Sequence, residues 1–514
     1  MKAKYLLIVS LIMLLIANAC NEELLNQSNP NQYTYETYYK TADQITAATN
    51  AIYSGFLGFN LWGRMFQYFC DGRADEHAIG GGQCEIHNQQ LILGTYDNTN
   101  ATINWVWNGL YRLIHRANIV ITFGPNAEGD QNIIKTRIAE AKFLRAYAYY
   151  YLVVNWGRVP VYTEFAESSS AAKPLSEESE IYALIESDLN ECMNDLPWKW
   201  EGNDAGRASK AAAKLLLART LMHQGKYADA YKQLLEIYKS NKFRLVDNYF
   251  DNFMEETEYN DESIFEIGFA GNGFTWGADG NSTNARSNVM FQDYSPVAWR
   301  NYIPSDKLLD EFERPFKGDS KMDPRLKSTV YFEGDTFGDP ANPKILTAEM
   351  QNGYKSIFRN GGPKDTIKAS WKKYSPMYKL DPGGYYTSNI NYRNMRFAEV
   401  IIKMAECKNE MNQRDSAIYY LNIIRARPSV NMPSYPTTNY PCDSYDQVMR
   451  AIMHESMVEF ANEKLRVLEL ARWRKNNKFS ALNPDPIEYI RKDPTKALLP
   501  IPQDEKLRNF NLAE

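Results

Sequence analysis

The chain has 514 residues, 44% hydrophobic and 24% charged, enough to bury a large core. Its 58 basic and 63 acidic residues leave a net charge of -5, so no broad positive field is available for a phosphate backbone and nucleic acid is excluded as the main partner. The 35 tyrosines, 23 phenylalanines and 10 tryptophans exceed what ordinary helix packing requires, and their flat apolar faces with polar edges suit amphipathic ligands such as sugars.

Lys2 and Lys4 precede an almost wholly apolar stretch, residues 5–16, and Ala17 and Ala19 lead directly into Cys20. This is the pattern of a secretory signal too short to span a bilayer. A cysteine directly after the small residues looks like a lipoprotein signal peptide and predicts lipidation at Cys20, although Ala17 and Asn18 depart from the commonest pattern. The later cysteines, Cys70, Cys84, Cys192, Cys407 and Cys442, are odd in number and have no CxxC or metal-like spacing. Small buried hydrophobes are the expectation, with a Cys70–Cys84 bridge as the alternative.

Residues 26–39 read as a polar, aromatic tether, and 42–57 carry a helical pattern. Between residues 60 and 90 the pattern fails: Gly80, Gly81 and Gly82 stand among Arg73, Asp75, Glu76, His77 and His87, which predicts an ordered surface loop. Helical spacing returns over 104–121, with Trp107, Leu110, Tyr111 and Ile114 on one side. The stretch 137–160, RIAEAKFLRAYAYYYLVVNWGRVP, sets Ala141, Leu144, Ala148 and Tyr151 at three- and four-residue spacing, yet carries tyrosines on nearly every side. It predicts a central helix buried between other helices, ended by Gly157 and Pro160. A polar linker at 168–173 precedes a further helix over about 178–195.

The next segment, GRASKAAAKLLLARTLMHQGKYADAYKQLLEIY, places Ser209 as a helix cap, runs helical to His223, turns at Gly225 and resumes. Ala218 and Ala230, twelve apart, match the small positions where the two helices of a tetratricopeptide repeat approach closely. The spacing recurs at Ala405 and Ala417, with Leu421 and Ile424 on the second helix. A helical stack needs about three neighbouring units, so the helices around Arg137 and Glu180 are expected to complete it. Between the two copies, residues 242–394 are rich in glycine, proline, asparagine and aromatics, a long insertion of turns and small strands with short helices such as 306–312. Residues 451–473 are strongly helical, and LLPIP at 498–502 is extended.

Read together, these strings resemble the SusD/RagB family of outer-membrane nutrient-binding lipoproteins. The matching features are the lipoprotein start, the 137–160 block, Gly206-Arg207 and Ser209-Lys210 leading into Ala211, and residues 396–399. They continue with Glu406 and Asn409, Asn422 and Arg425, 455–473 and 499–502. Asp75 and Glu76 are similar to the family's Asp-Glu element, and Glu22 and Glu23 to its outer-face signal. The last long helix departs slightly, with His454-Glu455-Ser456 where Glu-Arg is usual and Leu-Ala at Leu470 where Asp-Leu is common. The resemblance implies an all-α, tetratricopeptide-like scaffold of about four helix-turn-helix pairs decorated by a loop-rich binding face. It divides the chain into a signal peptide (1–19), an N-terminal part with the first binding loop (20–240), the insertion (241–394) and a C-terminal helical part (395–514). It further implies a lipid-anchored protein of the cell outer membrane, facing the exterior, that captures oligo- or polysaccharide. A SusC-type TonB-dependent transporter, over whose mouth such proteins close as a hinged lid, would receive the sugar. The competing expectation is a transporter lid or peptide-handling interaction protein with no sugar binding of its own.

Enzyme signals are absent from the sequence: there is no GxSxG, GxxxxGK[ST] or HExxH, and only five histidines. No catalysis or cofactor is expected and no metal ligands are assigned, metal use being left open: Asp279 and Asn281 have an oxygen-rich spacing without the glutamate of a calcium loop. Glu455, Glu459, Glu463 and Arg466 lie at helical spacing and are expected to form ion pairs that lock the scaffold. Candidate ligand platforms are aromatics outside the periodic helices: Trp62 and Tyr68, then Phe274, Trp276, Tyr294 and Trp299. Candidate hydrogen-bond partners for sugar hydroxyls are Arg73, Asp75, Gln83 and Asn88.

Overall fold

The computed structural model describes residues 34–166, 172–269, 289–315, 318–319, 321–352, 369–380, 388–479 and 484–512. Cys20 and the signal sequence, Phe274, Trp276, Asp279 and Asn281 lie outside the described residues. Thr41 starts α1 (Ala42–Phe56) with a capping box, its hydroxyl accepting from the Gln44 N–H at 3.3 Å while the Gln44 side chain accepts from the Thr41 N–H at 2.9 Å.

The stretch expected to be a surface loop instead contains α2 (Met65–Asp71), β1 (His77–Ile79) and α3 (Ile86–Leu93). Every residue of α2 is buried, so it has no polar face and shows no amphipathic period. Asn100 caps α4 (Ala101–Phe123), accepting from the Ile103 N–H at 3.1 Å. Asp130 caps α5 (Gln131–Trp156), which begins six residues before the expected start and ends at Gly157, φ +71°.

α6 (Glu178–Cys192), α7 (Lys210–His223) and α8 (Tyr227–Lys239) follow. Ser209 accepts from the Ala212 N–H at 3.2 Å and Gly225 turns with φ +75°. The insertion contributes β2 (Ser263–Ile267), α9 (Met290–Tyr294), β3 (Tyr302–Pro304), α10 (Asp306–Glu311) and β4 (Tyr392–Arg396). α11 (Phe397–Glu410), α12 (Arg414–Arg425), α13 (Tyr445–Phe460) and α14 (Arg466–Lys475) complete the scaffold, and the short α15 (Glu488–Lys492) and α16 (Gln503–Arg508) close the chain.

Each scaffold helix packs on the next in the order α1, α4, α5, α6, α7, α8, α11, α12, α13, so the stack runs past the insertion. Ala218, Ala230, Ala405 and Ala417 are fully buried at the two close approaches. Buried ion pairs pin several joints: Arg145 with Asp188 between α5 and α6 (2.7 Å), and Arg219 with Glu399 between α7 and α11 (2.6 Å). The extended end is held on α5, with the Leu499 N–H donating to the Asn155 carbonyl (2.8 Å) and Trp156 Nε1 donating to the Pro500 carbonyl (3.1 Å).

Residues 451–473 are two helices and not one. Asn462 and Lys464 take φ of +61° and +59°, a conformation that L side chains adopt only when their surroundings enforce it. Here the enforcing contact is Lys464 Nζ on Asp71 Oδ2, 2.6 Å apart and buried. The expected ion pairing of the last helices is present, but it reaches beyond the repeats. Glu455 meets Arg325 and Arg425; Glu459 meets Arg325, Arg396 and Arg427; Glu463 meets Arg396 and Lys373; and Arg466 meets Asp75. The five later cysteines are all free and buried.

Candidate functional site: an aromatic shelf between the first loop and the insertion

β1 pairs antiparallel with β3, His77 opposite Pro304 and Ile79 opposite Tyr302. The ladder continues through Gly80 and Gly81, whose N–H groups donate to the carbonyls of Asn301 (2.8 Å) and Arg300 (2.7 Å). A Cβ on Gly81 would lie 1.8 Å from the Trp299 carbonyl oxygen, so only glycine permits this approach. The ladder thereby holds the 59–93 segment and residues 289–305 of the insertion in one face.

Arg64 forms the floor of that face. Its guanidinium donates to both carboxylate oxygens of Asp293 (3.0 and 2.9 Å) and approaches Glu85 at 2.7 Å. Burial works against the charge, but Asp293 and Glu85 outweigh it and hold Arg64 firmly protonated. The same guanidinium lies 5.6 Å from the Trp299 ring centre and 5.9 Å from that of Phe59. Phe59 stands edge-on to Trp105 (5.4 Å, 79°), and Trp105 edge-on to His87 (5.2 Å, 89°).

Phe59, Trp105, His87 and Trp299 are all half-buried; the first three make a run of ring contacts, and Trp299 joins them through the Arg64 guanidinium to form a shelf along the junction. His87 is kept neutral at neutral pH, since burial lowers its pKa. The Thr102 hydroxyl donates to Asn88 (2.7 Å), so the Thr102 oxygen accepts from His87 Nδ1 (2.8 Å), and the ring's Nε2 is left as an acceptor. Gln83 is exposed on the same segment, and Glu85 is about one-third exposed. Ring faces interspersed with an imidazole acceptor, an amide and a carboxylate have the chemistry to stack on C–H surfaces and bond hydroxyl groups.

The expected site residues divide sharply by burial. Trp299 is part of the shelf, and Gln83 is exposed on the segment that carries His87. Trp62 is 1% exposed, packed on Phe66 and Tyr392, and Tyr68 stands edge-on to Tyr294 and Tyr302, so both are core. Tyr294 is likewise inside, donating to Asp71 at 2.9 Å. Asn88 is fully buried and bonds Glu85 and Thr102, and Arg73 is buried against Asn155 and Phe69. These five side chains support the scaffold and present no face to a ligand. Asp75 is gripped by both arms of Arg466 (2.7 and 2.9 Å) and by Lys307 (2.6 Å), and reaches the edge of a cavity away from the shelf. Phe59, Arg64, His87 and Trp105 were not anticipated, yet Trp105 had a signal. Two residues from Trp107 on a helix, it points roughly 200° away from that residue and packs at the margin of the core, only partly buried.

Among the described residues, two buried clusters contain the atoms a cation would use, Asp71 with Glu76 and His77, and Glu313 with His454 and Glu455. In each the protein's own cation is already in contact: Lys464 on Asp71 (2.6 Å), and Arg425 on both Glu313 and Glu455 (2.7 Å each). Burial, then the neighbouring Asp71, push Glu76 up to about 8, so at neutral pH it carries its own proton.

Residues 261–513 match the model of the SusD family, and residues 74–222 match a SusD-like model described as starch-binding and associating with the outer membrane. The chain belongs to the SusD/RagB family. SusD-like protein P25 of Formosa agariphila is 25% identical over 481 residues, 88% of this chain and 86% of that one. The starch-binding protein SusD of Bacteroides thetaiotaomicron is 31% identical over 189 residues, 35% of this chain and 32% of its own. The crystal structure of a SusD superfamily protein from Bacteroides vulgatus superposes with a TM-score of 0.74 at 21% identity, covering 93% of this chain and 99% of that one. A laminarin-binding SusD-like protein gives 0.72 at 24%, covering 92% and 98%. The SusD-like fold is therefore this chain's fold, and its family is one of starch- and glycan-binding proteins associated with the outer membrane. Among the described residues no helix is long and apolar enough to cross a membrane.

Proposed function

We propose that the shelf of Phe59, Trp105, His87 and Trp299 captures a glycan at the cell surface and that the protein passes it, chemically unchanged, to a SusC-type TonB-dependent transporter. Lipidation of Cys20 would anchor it to the outer membrane. The observation that carries the reading is the run of half-buried rings held on the Arg64 floor at the junction of loop and insertion, in a member of a glycan-binding family. Phe274 and Trp276, in the same insertion, are the further candidates for the platform. Two stacked rings contribute about 1 kcal/mol each beyond burial and a few hydrogen bonds about 1 kcal/mol net each, against a large cost of association. The affinity that results is micromolar to millimolar, which suits a ligand that must be released. The test is affinity electrophoresis of the protein through gels containing starch, laminarin and other neutral polysaccharides, repeated with Trp105→Ala, Trp299→Ala and Trp276→Ala. Retardation by one polysaccharide, weakened by the substitutions, is the expected result. No retardation in any gel would reject glycan capture in favour of a non-glycan cargo or a lid without ligand.

A further inference from the structure

A cavity of about 510 Å3 opens between the end of α3, the turn from β3 into α10, and α15. Its polar side holds Asp75, Lys307 and Lys492, and its apolar wall is Ile92, Leu93 and Ile487. Asp75, Asp306 and Glu488 line it against Lys307 and Lys492; Asp75 is paired with Arg466 and Lys307, and Lys492 with Glu488 at 2.6 Å in an exposed pair. A charged ligand would have to compete with the Asp75 pairs, and a purely apolar one would strand the charged groups away from water. A hydroxyl group both donates and accepts, so it adds to an ammonium and to a carboxylate without separating them; each ammonium has three donors, and one of each is used in the pair. The Asp75 carboxylate is 3% exposed and both its oxygens are held by the Arg466 fork and Lys307, so the polar groups open to a ligand include the ammonium groups of Lys307 and Lys492. A ligand matching both walls has hydroxyls on one edge and C–H groups on the other, and the volume is in the range of small-molecule sites.

We propose that this cavity is a second, separate ligand site that takes a short saccharide of one or two neutral sugar units. The inference goes beyond capture on the shelf and stands on the cavity's own residues. Isothermal titration and saturation-transfer NMR of the purified protein with glucose, galactose, maltose, cellobiose and laminaribiose test it. Two variants report on the cavity: Leu93→Trp, which fills it from a position 40% exposed and tolerant of size, and Lys307→Met, which keeps its volume and removes a donor. Trp105→Ala reports on the shelf, and thermal melting confirms that each variant is folded. Binding of at least one of these sugars, weakened tenfold or more by both cavity variants and unchanged by Trp105→Ala, is expected. Absence of binding by the unaltered protein, or binding that survives both cavity variants, overturns the proposal. Disaccharide binding that Trp105→Ala removes and Leu93→Trp spares places the sugar on the shelf, which rejects the cavity site and leaves the capture reading intact. Disaccharide binding that obeys the cavity variants, with no polysaccharide retarded in gels, supports the cavity site and rejects the capture reading.

Discussion

Trp62 and Trp299 look alike in sequence, aromatic residues in irregular stretches, and the fold sends them to opposite fates. Trp62 is core because Tyr392, far along the chain, closes over it at 4.2 Å between ring centres. Trp299 is half-buried, its ring over Arg64 and its backbone in close approach to Gly81. Replacing Trp105 with alanine is expected to weaken binding of the retained polysaccharide about five- to tenfold, near 1 kcal/mol, with no loss of fold, as read from electrophoretic mobility against polysaccharide concentration. Trp62→Ala should do the reverse, costing about 3–5 kcal/mol of stability in denaturant unfolding because it leaves a cavity in the core. Gly81→Ala should bring both effects together through geometry alone. Its methyl meets backbone that cannot yield as a side chain does, so a lower melting temperature together with lost polysaccharide retardation is expected. Which aromatics face solvent was not legible in the sequence, since no local pattern encodes a partner hundreds of residues away; the exception is Trp105, whose helical phase sets it apart from Trp107.

At the scale of elements, α7 and α8 were legible almost to the residue, because a serine cap, a glycine turn and alanines twelve apart are local signals. α2 and the break between α13 and α14 were not, because burial on all sides erases amphipathic period and because the break serves Lys464's contact with Asp71. α13 also carries a titration that the fold controls. His454 is buried, which lowers its pKa, but hydrogen bonds to Glu311 at the end of α10 and to Glu313 outweigh burial and lift it to about 9. Glu455 on its own helix adds to the rise, and Tyr440 bonds the same Nδ1 at 2.8 Å. A histidine raised from about 6.5 binds its proton more tightly folded than unfolded. Its contribution is therefore complete below pH 6.5 and is lost as pH climbs toward 9, a change of about 3 kcal/mol if the pair behaves independently. Chemical denaturation at pH 6 and pH 9 should show that fall, and His454→Gln should flatten it. An unchanged slope in the variant would assign the pH dependence to other groups.

For the whole molecule, the question is what joins an irregular insertion to a regular helical stack. The helices account for their own order through alanine contacts and the paired charges at their joints, whereas among the described residues the insertion's strands form short two-stranded ladders and its helices are short. Besides the β1–β3 ladder and the Arg64–Asp293 pair, its attachment runs through α13. Glu459 is fully buried and accepts from Arg325 of the insertion (3.1 Å), Arg396 at the end of β4 (2.7 Å) and Arg427 beyond α12 (2.9 Å). Glu455 joins Arg325 to Arg425 one turn earlier, and burial, which would raise it, is overcome by these arginines so that its pKa falls to about 2. The spacing of these glutamates was readable, but their arginines come from three separate regions and no helical period announces them. Buried charges of this kind are not strongly stabilising as a set, yet removing one member strands the others in a dry interior. Glu459→Gln is expected to cost about 3–5 kcal/mol in denaturant unfolding, whereas Asp229→Asn, which breaks an exposed pair with Lys232, should leave the melting temperature unchanged. If the glutamates are the link between the two halves, limited proteolysis of the folded Glu459→Gln protein will cut first within residues 242–394 while α5 to α8 survive as one fragment. Cleavage spread evenly along the chain would show instead that the insertion and the stack unfold together and that the charge cluster is not what holds them to each other.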